Sequence, residues 1–423
     1  MMTMTRTLVV LAGILVGLVA SAQGQTMAIR GGQVHTTPGT VVEDATILIR
    51  NGVVERVGKG LAIPAGVPVI DAAGKVVTAG FIESSTMLGL VEVTLEASSF
   101  EGGFPDDDEG RDVVFAAYRA SDGYNSVSVG IPIARAEGVT SAVATPRGGL
   151  VSGSSGWFSL RDGQTPDVTI KTPLAMYANL GEESLGTAKG SRGLALLRLR
   201  ELLDDARTYS RSKASYERNQ SRQFAASRLD LEALIPVVQG RLPLVVRVNR
   251  SSDILAALAM AREFGLRLII EGGVEAWMVA GELARARVGV ILDPARNLPE
   301  RFEQVHVRDD AVKILADAGV TVVIATMAEA YAVATLRQLA GMAVADGLTH
   351  DQALAAVTTA PAALFGVDRG TIAAGRAADI VVWSGDPFEL SSHAEHVIIA
   401  GKEESIRTRQ TLLLERYRTL NSK

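Results

Sequence analysis

The chain contains no cysteine among its 423 residues. That removes disulfides, thiolate metal sites, cysteine nucleophiles and a lipid-anchoring cysteine together. It also suits an oxidising compartment, where a spare thiol is a liability. Histidine is nearly as scarce, with five in the whole chain, which limits any imidazole-based metal site or acid–base relay. There is no excess of positive charge: the formal net charge is −5 and the pI is near 5.7. A nucleic-acid or anionic-membrane surface is therefore not expected. No G-x-G-x-x-G follows a strand-like run and no G-x-S-x-G elbow occurs, so neither a dinucleotide site nor an α/β-hydrolase nucleophile is signalled.

What is present is an ordinary globular balance, 47% apolar and 21% charged, enough to bury a sizeable core. The first segment reads as an address. Arg6 precedes the apolar run Leu8 to Val19, and Ala20-Ser21-Ala22 follows. These are the parts of a secretory signal peptide, with cleavage expected after Ala22 and delivery to the periplasm or outside. The run falls short of the roughly 20 apolar residues a membrane span needs, so no membrane association is expected after cleavage.

From Met27 to Val77 short strand-like runs alternate with Gly31-Gly32 and Asn51-Gly52, read as turns. The same style returns in ADIVVWSGDPF and HAEHVIIAGK near the C-terminus. Strands at both ends predict one discontinuous β-domain, 26–79 with 367–405, drawn as a small β-sandwich. Between them, apolar strand runs alternate with helical runs: LPLVVRV with SSDILAALAMAREFG, then LRLIIEGG with EAWMVAGELARAR, VGVILD, and VTVVIAT. Repeated βα units predict an α/β fold with a parallel sheet, and their number predicts a (β/α)8 TIM-like barrel over 80–366. Ser251 marks a helix start; Gly265 and Gly347 mark helix ends. A tail helix is expected over 406–423.

Two stretches interrupt the rhythm. Residues 96–126 hold the acidic run Asp106, Asp107, Asp108, Glu109, whose spacing is not that of an EF-hand and which reads as a solvated loop. Residues 191–223 read as a helical insertion with Arg207, Arg211, Lys213 and Arg218 on its exposed face.

Specific words then point to a family. Gly74-Lys75-Val76-Val77-Thr78-Ala79-Gly80-Phe81-Ile82-Glu83-Ser84-Ser85-Thr86-Met87-Leu88-Gly89 resembles the amidohydrolase superfamily pattern GKxVxPGFIDxHxHxG. The segment running from Gly347 to Leu390 is similar to that superfamily's ending, with Thr358, Pro361, Gly366, Gly370, Gly375, Asp379, Asp386 and Pro387 in place. The helical words DILAALAMAREFGLRLIIEGGVEA resemble its exported, imidazolonepropionase-like branch. The resemblance implies a barrel whose strand ends hold zinc or another divalent ion for hydrolysis of C–N bonds. It also implies that the metal ligands are replaced here. The His-x-His pair reads Ser85 and Met87, the fifth-strand His falls on Arg247, the sixth on Gly272, and the eighth-strand Asp on Met327. A cation at Arg247 repels a metal ion, and Met327 offers no hard oxygen.

Arg247 and Glu271 are expected either to form a salt bridge filling the vacated space or, for Arg247, to reach solvent. Glu83, Asn249, Glu271, Glu275 and Thr326 are expected to line the pocket. Metal-free catalysis has weak candidates: Ser84, Ser85 and Thr86 as nucleophiles without a base, and Glu271 with Glu275 as an acid–base pair. The Gly/Ser stretch Ser152–Ser155 could bind an anion through backbone N–H groups, or be a tight barrel loop. Asp379 reads as structural. No residue is assigned a catalytic role and no cofactor is expected. The implied function is an exported, non-catalytic superfamily member that binds a small molecule or supports a catalytic paralogue, and the resemblance also implies an oligomer; the alternative is a hydrolase acting on carbon–nitrogen bonds with a rebuilt site.

Overall fold

A computed structural model describes residues 26–102, 114–184, 191–327 and 330–418. The signal-peptide segment 1–22 and the acidic run 106–109 lie outside them.

Both chain ends build one sheet. Its strands are β1 (Thr26–Thr37), β2 (Thr40–Arg50), β3 (Val53–Lys59), β4 (Val69–Asp71) and β5 (Val76–Ala79). From the other end come β16 (Ile380–Trp383), β17 (Ala394–Ile399) and β18 (Lys402–Glu404). The order is β18-β17-β16-β5-β1-β2-β3, with β4 beside β1, so the expected sandwich is one eight-stranded hydrogen-bonded sheet. Asn51 (φ +54°) and Gly52 (φ +81°) both take the left-handed conformation in the β2–β3 hairpin, which a two-residue turn of this type needs. Gly31 and Gly32 do not turn the chain. They sit inside β1, where the register with β2 shifts, and so form a bulge.

The middle of the chain supplies β6 (Phe81–Thr86), β7 (Val139–Ala144), β8 (Val151–Ser154), β9 (Gly156–Ser159), β10 (Thr169–Lys171) and β11 (Met176–Asn179). It continues with β12 (Leu244–Val248), β13 (Leu268–Gly272), β14 (Val290–Leu292) and β15 (Val322–Ile324). Two ladders result, β10-β9-β7-β6 and β15-β14-β13-β12-β11-β8. Strands β11 to β15 are parallel neighbours, as are β6 and β7. The departure from a pure (β/α)8 repeat lies at 151–159. There a nearly continuous run pairs antiparallel with β11 through β8 and with β7 through β9, so it joins the two ladders. Eight residues from Val151 to Phe158 leave no room for a crossover helix, which takes a dozen or more. Among the described residues no ladder joins β15 to β6. The seam is crossed by the Thr326 backbone N–H, which donates to Glu83 Oε2 at 3.0 Å.

Inside the strands, Tyr177, Val245, Ile269, Ile291 and Val323 form one apolar cluster. Outside, helices such as Ser251–Phe264 and Leu336–Ala345 bury their apolar faces against the strands. Helix Ser251–Phe264 ends at Gly265 in the left-handed conformation, φ +66°, the usual position for a glycine cap. The insertion forms the long helix Arg192–Glu217. Arg211, Lys213 and Arg218 are exposed, whereas Arg207 packs over Phe264 and donates to its carbonyl at 3.0 Å. The tail helix spans Arg409–Arg418 and buries none of its residues. Barrel and sheet meet across Arg135, which bonds Glu404 at 3.3 Å, and across Trp383 against Phe81.

Candidate functional site

Two-residue periodicity decides what faces inward. On β13, Ile269 belongs to the inner cluster, so Glu271 takes the inward side-chain position too, and Gly272 follows at the strand end. On β12 the same step follows Val245 with Arg247, and on β11 it follows Tyr177 with Asn179. Asn179, Arg247 and Glu271 are direct neighbours in the ladder. They form a polar row at the C-terminal strand ends, where barrel enzymes carry their sites.

The row is tightly bonded. Arg247 Nε donates to Glu271 Oε1 at 2.8 Å, and Nη1 donates to the Pro146 carbonyl at 2.9 Å. The Arg247 guanidinium lies over the Tyr177 ring, 4.8 Å from its centroid. Ser85 Oγ donates to the other oxygen, Glu271 Oε2, at 3.0 Å. Register shifts along β6 break its alternation and bring Ser85 to this row. Glu271 is 2% exposed and Arg247 7%. Burial opposes ionisation of Glu271, but Arg247, Arg147 and the bonds from Arg247 and Ser85 outweigh it and hold the carboxyl below its usual range.

Above the row opens a small cavity of about 60 Å³, or about 540 Å³ once the open solvent at its mouth is counted. Its charged lining is Arg147, Arg247, Arg296, Glu271, Asp293 and Glu303, with Asn179, Asn249, Gly272 and Met327 among the rest. Arg147 donates to the Met327 carbonyl at 2.7 Å. Glu303 is fixed by Asn249 Nδ2 at 2.6 Å and the Glu182 N–H at 2.8 Å. Burial raises the Asp293 carboxyl above its ordinary range.

The expected pocket residues divide. Asn249 and Glu271 line the cavity. Glu83 is fully buried at the β6–β15 seam, accepting from the Ser85 and Thr326 N–H groups; burial pushes its carboxyl up to about 7. Thr326 is buried beside it. Glu275 turns elsewhere, accepting from the Ser251 N–H at 2.9 Å and from His306 at 2.8 Å. Glu271 and Glu275 thus have separate partners and are not a cooperating carboxylate pair. The backbone of 152–155 is likewise not an anion cradle. Ser154 N–H bonds the Tyr118 carbonyl and Ser155 N–H the Ala175 carbonyl, because this stretch is strand rather than loop.

Of the five replaced positions, Arg247, Gly272 and Met327 line the cavity and Ser85 bonds Glu271; Met87 is buried in the strand–helix core. Gly272 has φ +92°, and a β-carbon there would lie 2.6 Å from Asn249 Oδ1. Met327 also takes a left-handed φ, +46°. No histidine lines the cavity. His35 lies on β1, His396 on β17 and His393 just before it; His350 opens helix His350–Ala356 and bonds Asp386. Among the described residues, no three His, Asp or Glu side chains gather into a group able to hold a metal ion. Asp379 caps the β-domain, bonding the Ala400 N–H at 2.8 Å and Arg369.

Sequence reading missed Arg147, Asn179, Asp293, Arg296 and Glu303. Asn179 and Asp293 directly follow apolar strand runs, and that signal was available. Glu303 sits in the single helical turn Phe302–Gln304, well past β14, with no local mark.

The sequence profile of the amidohydrolase family matches residues 251–404. Among solved structures, an amidohydrolase from Thermotoga maritima MSB8 aligns with a TM-score of 0.81 at 26% identity, covering 90% of this chain and 100% of that one. A dihydroorotase from Geobacter sulfurreducens is 46% identical over 57 residues, 14% of this chain and 13% of that protein. The amidohydrolase tasK of Hapsidospora irregularis is 24% identical over 412 residues, 86% of this chain and 41% of that protein. The chain spans less than half the length of these curated relatives. Such neighbours carry a TIM-barrel domain with a β-rich companion, the arrangement described above.

Proposed function

The chain belongs to the amidohydrolase superfamily, and from that premise we propose that it is an exported member that binds a small polar molecule without metal-assisted hydrolysis. One observation carries the reading: the Arg247–Glu271 ion pair, closed by Ser85, stands among the strand ends where the family's metal belongs. The residues present do not fit a divalent cation. Such an ion needs several imidazole or carboxylate donors. Here the one inward carboxylate of the row is neutralised by a guanidinium, and its neighbours are a hydroxyl and an amide. On β13 we assign the lost ligand to Glu271 rather than Gly272, because Glu271 is the inward residue.

The cavity above the pair retains Arg147 and Arg296 with Asp293 and Glu303, charges of both signs that suit a polar or zwitterionic ligand. A rebuilt hydrolase is the rival, favoured by the Ser85–Glu271 hydrogen bond. Against it, a carboxylate held below its usual range is a weak base, and both its oxygens are engaged. Export rests on the segment before residue 23 and is checked by N-terminal sequencing of the mature protein.

Metal analysis after dialysis tests the central claim. The expected result is no stoichiometric zinc, manganese or iron; one full equivalent per chain overturns it.

A further inference from the structure

The opposite ends of the same strands hold a second cavity. Its walls come from residues just before β12, β13 and β14, at the N-terminal side of the barrel, and its volume is about 440 Å³. Ligand cavities run roughly 300–1,000 Å³. Three arginines line it, Arg262, Arg267 and Arg287, and all three are exposed. No acidic side chain shares the lining. The nearest acids in sequence are engaged with other arginines: Glu263 with Arg200 at 3.1 Å and Glu282 with Arg285 at 2.9 Å. Among the described residues, Arg262, Arg267 and Arg287 make no ion pair and no side-chain hydrogen bond.

The fold holds these cations together. Helix Ser251–Phe264 ends at Gly265, and helix Ala280–Ala286 ends at Arg287 itself in a left-handed conformation, φ +55°. Two adjacent helices therefore stop on one rim, and the loop between Gly265 and β13 adds Arg267. Between the arginines the surface is hydrocarbon, including Leu258, Leu266 and Leu364. Three like charges around an apolar floor repel one another unless an anion joins them. A guanidinium matches carboxylate or phosphate oxygens in a planar, two-point contact.

We propose that this cavity binds an anionic amphiphile, its carboxylate or phosphate head on the three arginines and its hydrocarbon chain on the leucine floor. Nothing in this proposal depends on the reading of the first cavity, which lies at the other end of the barrel.

Isothermal titration of the whole mature chain with monomeric dodecanoate tests it, with dodecanol and inorganic phosphate as partial ligands. Dodecanoate should saturate one site per chain and weaken as salt is raised; each partial ligand should bind at least roughly tenfold more weakly. The double variant Arg267→Gln/Arg287→Gln should lose roughly tenfold or more in dodecanoate affinity while its circular-dichroism melt is unchanged. Undiminished binding by that variant, or equal binding of dodecanol, overturns the proposal. Sedimentation with anionic phospholipid vesicles, without any saturable dodecanoate binding, assigns the arginines to a lipid surface and overturns it as well.

Discussion

The two ends of strands β12 to β14 treat arginine in opposite ways. At the C-terminal ends Arg247 is buried, bonded to Glu271, backed by a carbonyl and laid over Tyr177. At the N-terminal ends Arg262, Arg267 and Arg287 are exposed around an apolar floor, without an acid among the lining residues. A buried guanidinium loses so much hydration that it must be matched from within the protein. An exposed one keeps its water and can wait for a ligand. The first arrangement should therefore control stability, the second affinity.

The largest effect follows from breaking the buried match. Glu271→Leu leaves Arg247 charged and without its carboxylate, and denaturant unfolding should register a loss of about 3–5 kcal/mol. Arg247→Met together with Glu271→Leu should recover most of that loss, because a matched apolar pair replaces a matched ionic one. If the double variant is as unstable as the single, the pair is not the unit that matters.

Next comes pH, through a neighbour of that network. Burial raises the Glu83 carboxyl from its ordinary 4.5 to about 7 in the folded chain. The folded state then holds a proton more tightly than the unfolded one. Its contribution to stability is complete below about 4.5 and is lost as pH rises through about 7. The shift corresponds to roughly 3 kcal/mol at most. Unfolding midpoints taken across that window should fall for the natural chain, and the Glu83→Gln variant should show a flatter profile. Equal slopes would remove Glu83 from the account.

A smaller effect concerns Gly272, the position that the family resemblance aligns with the sixth-strand ligand. Parallel barrel strands are buried on both faces and read as continuous apolar runs. LRLIIEGG therefore carries no visible alternation, and nothing in it says which of Glu271 and Gly272 holds the inward side-chain position. The inner cluster settles this only once the ladder register is known. The 151–159 run was opaque for a related reason: Gly and Ser suggest a loop, while hydrogen bonds to β11 and β7, distant in sequence, make it strand. Local signals were more readable. Asn51-Gly52, Gly265 and the strand-end position of Arg247 each follow from turn chemistry or period. Because Gly272 combines φ +92° with Asn249 at 2.6 Å from a built β-carbon, Gly272→Ala should cost about 1–3 kcal/mol by thermal unfolding. A neutral result would mean that Asn249 and the backbone yield freely.

The smallest expected effect is the one that separates the two ends most cleanly. Arg267→Gln and Arg287→Gln remove exposed charges that make no ion pair among the described residues. Substitutions of that kind usually change stability by less than about 0.5 kcal/mol in either direction. Loss of mutual repulsion even argues for a slight gain at low ionic strength, vanishing as salt screens it. The measurement is a pair of unfolding curves, natural chain against double variant, at low and at high salt. A loss near that of Glu271→Leu would show that these arginines support the fold after all, and the contrast between matched and waiting arginine would collapse. An unchanged midpoint together with lost dodecanoate affinity would place them, unlike Arg247, wholly on the side of binding.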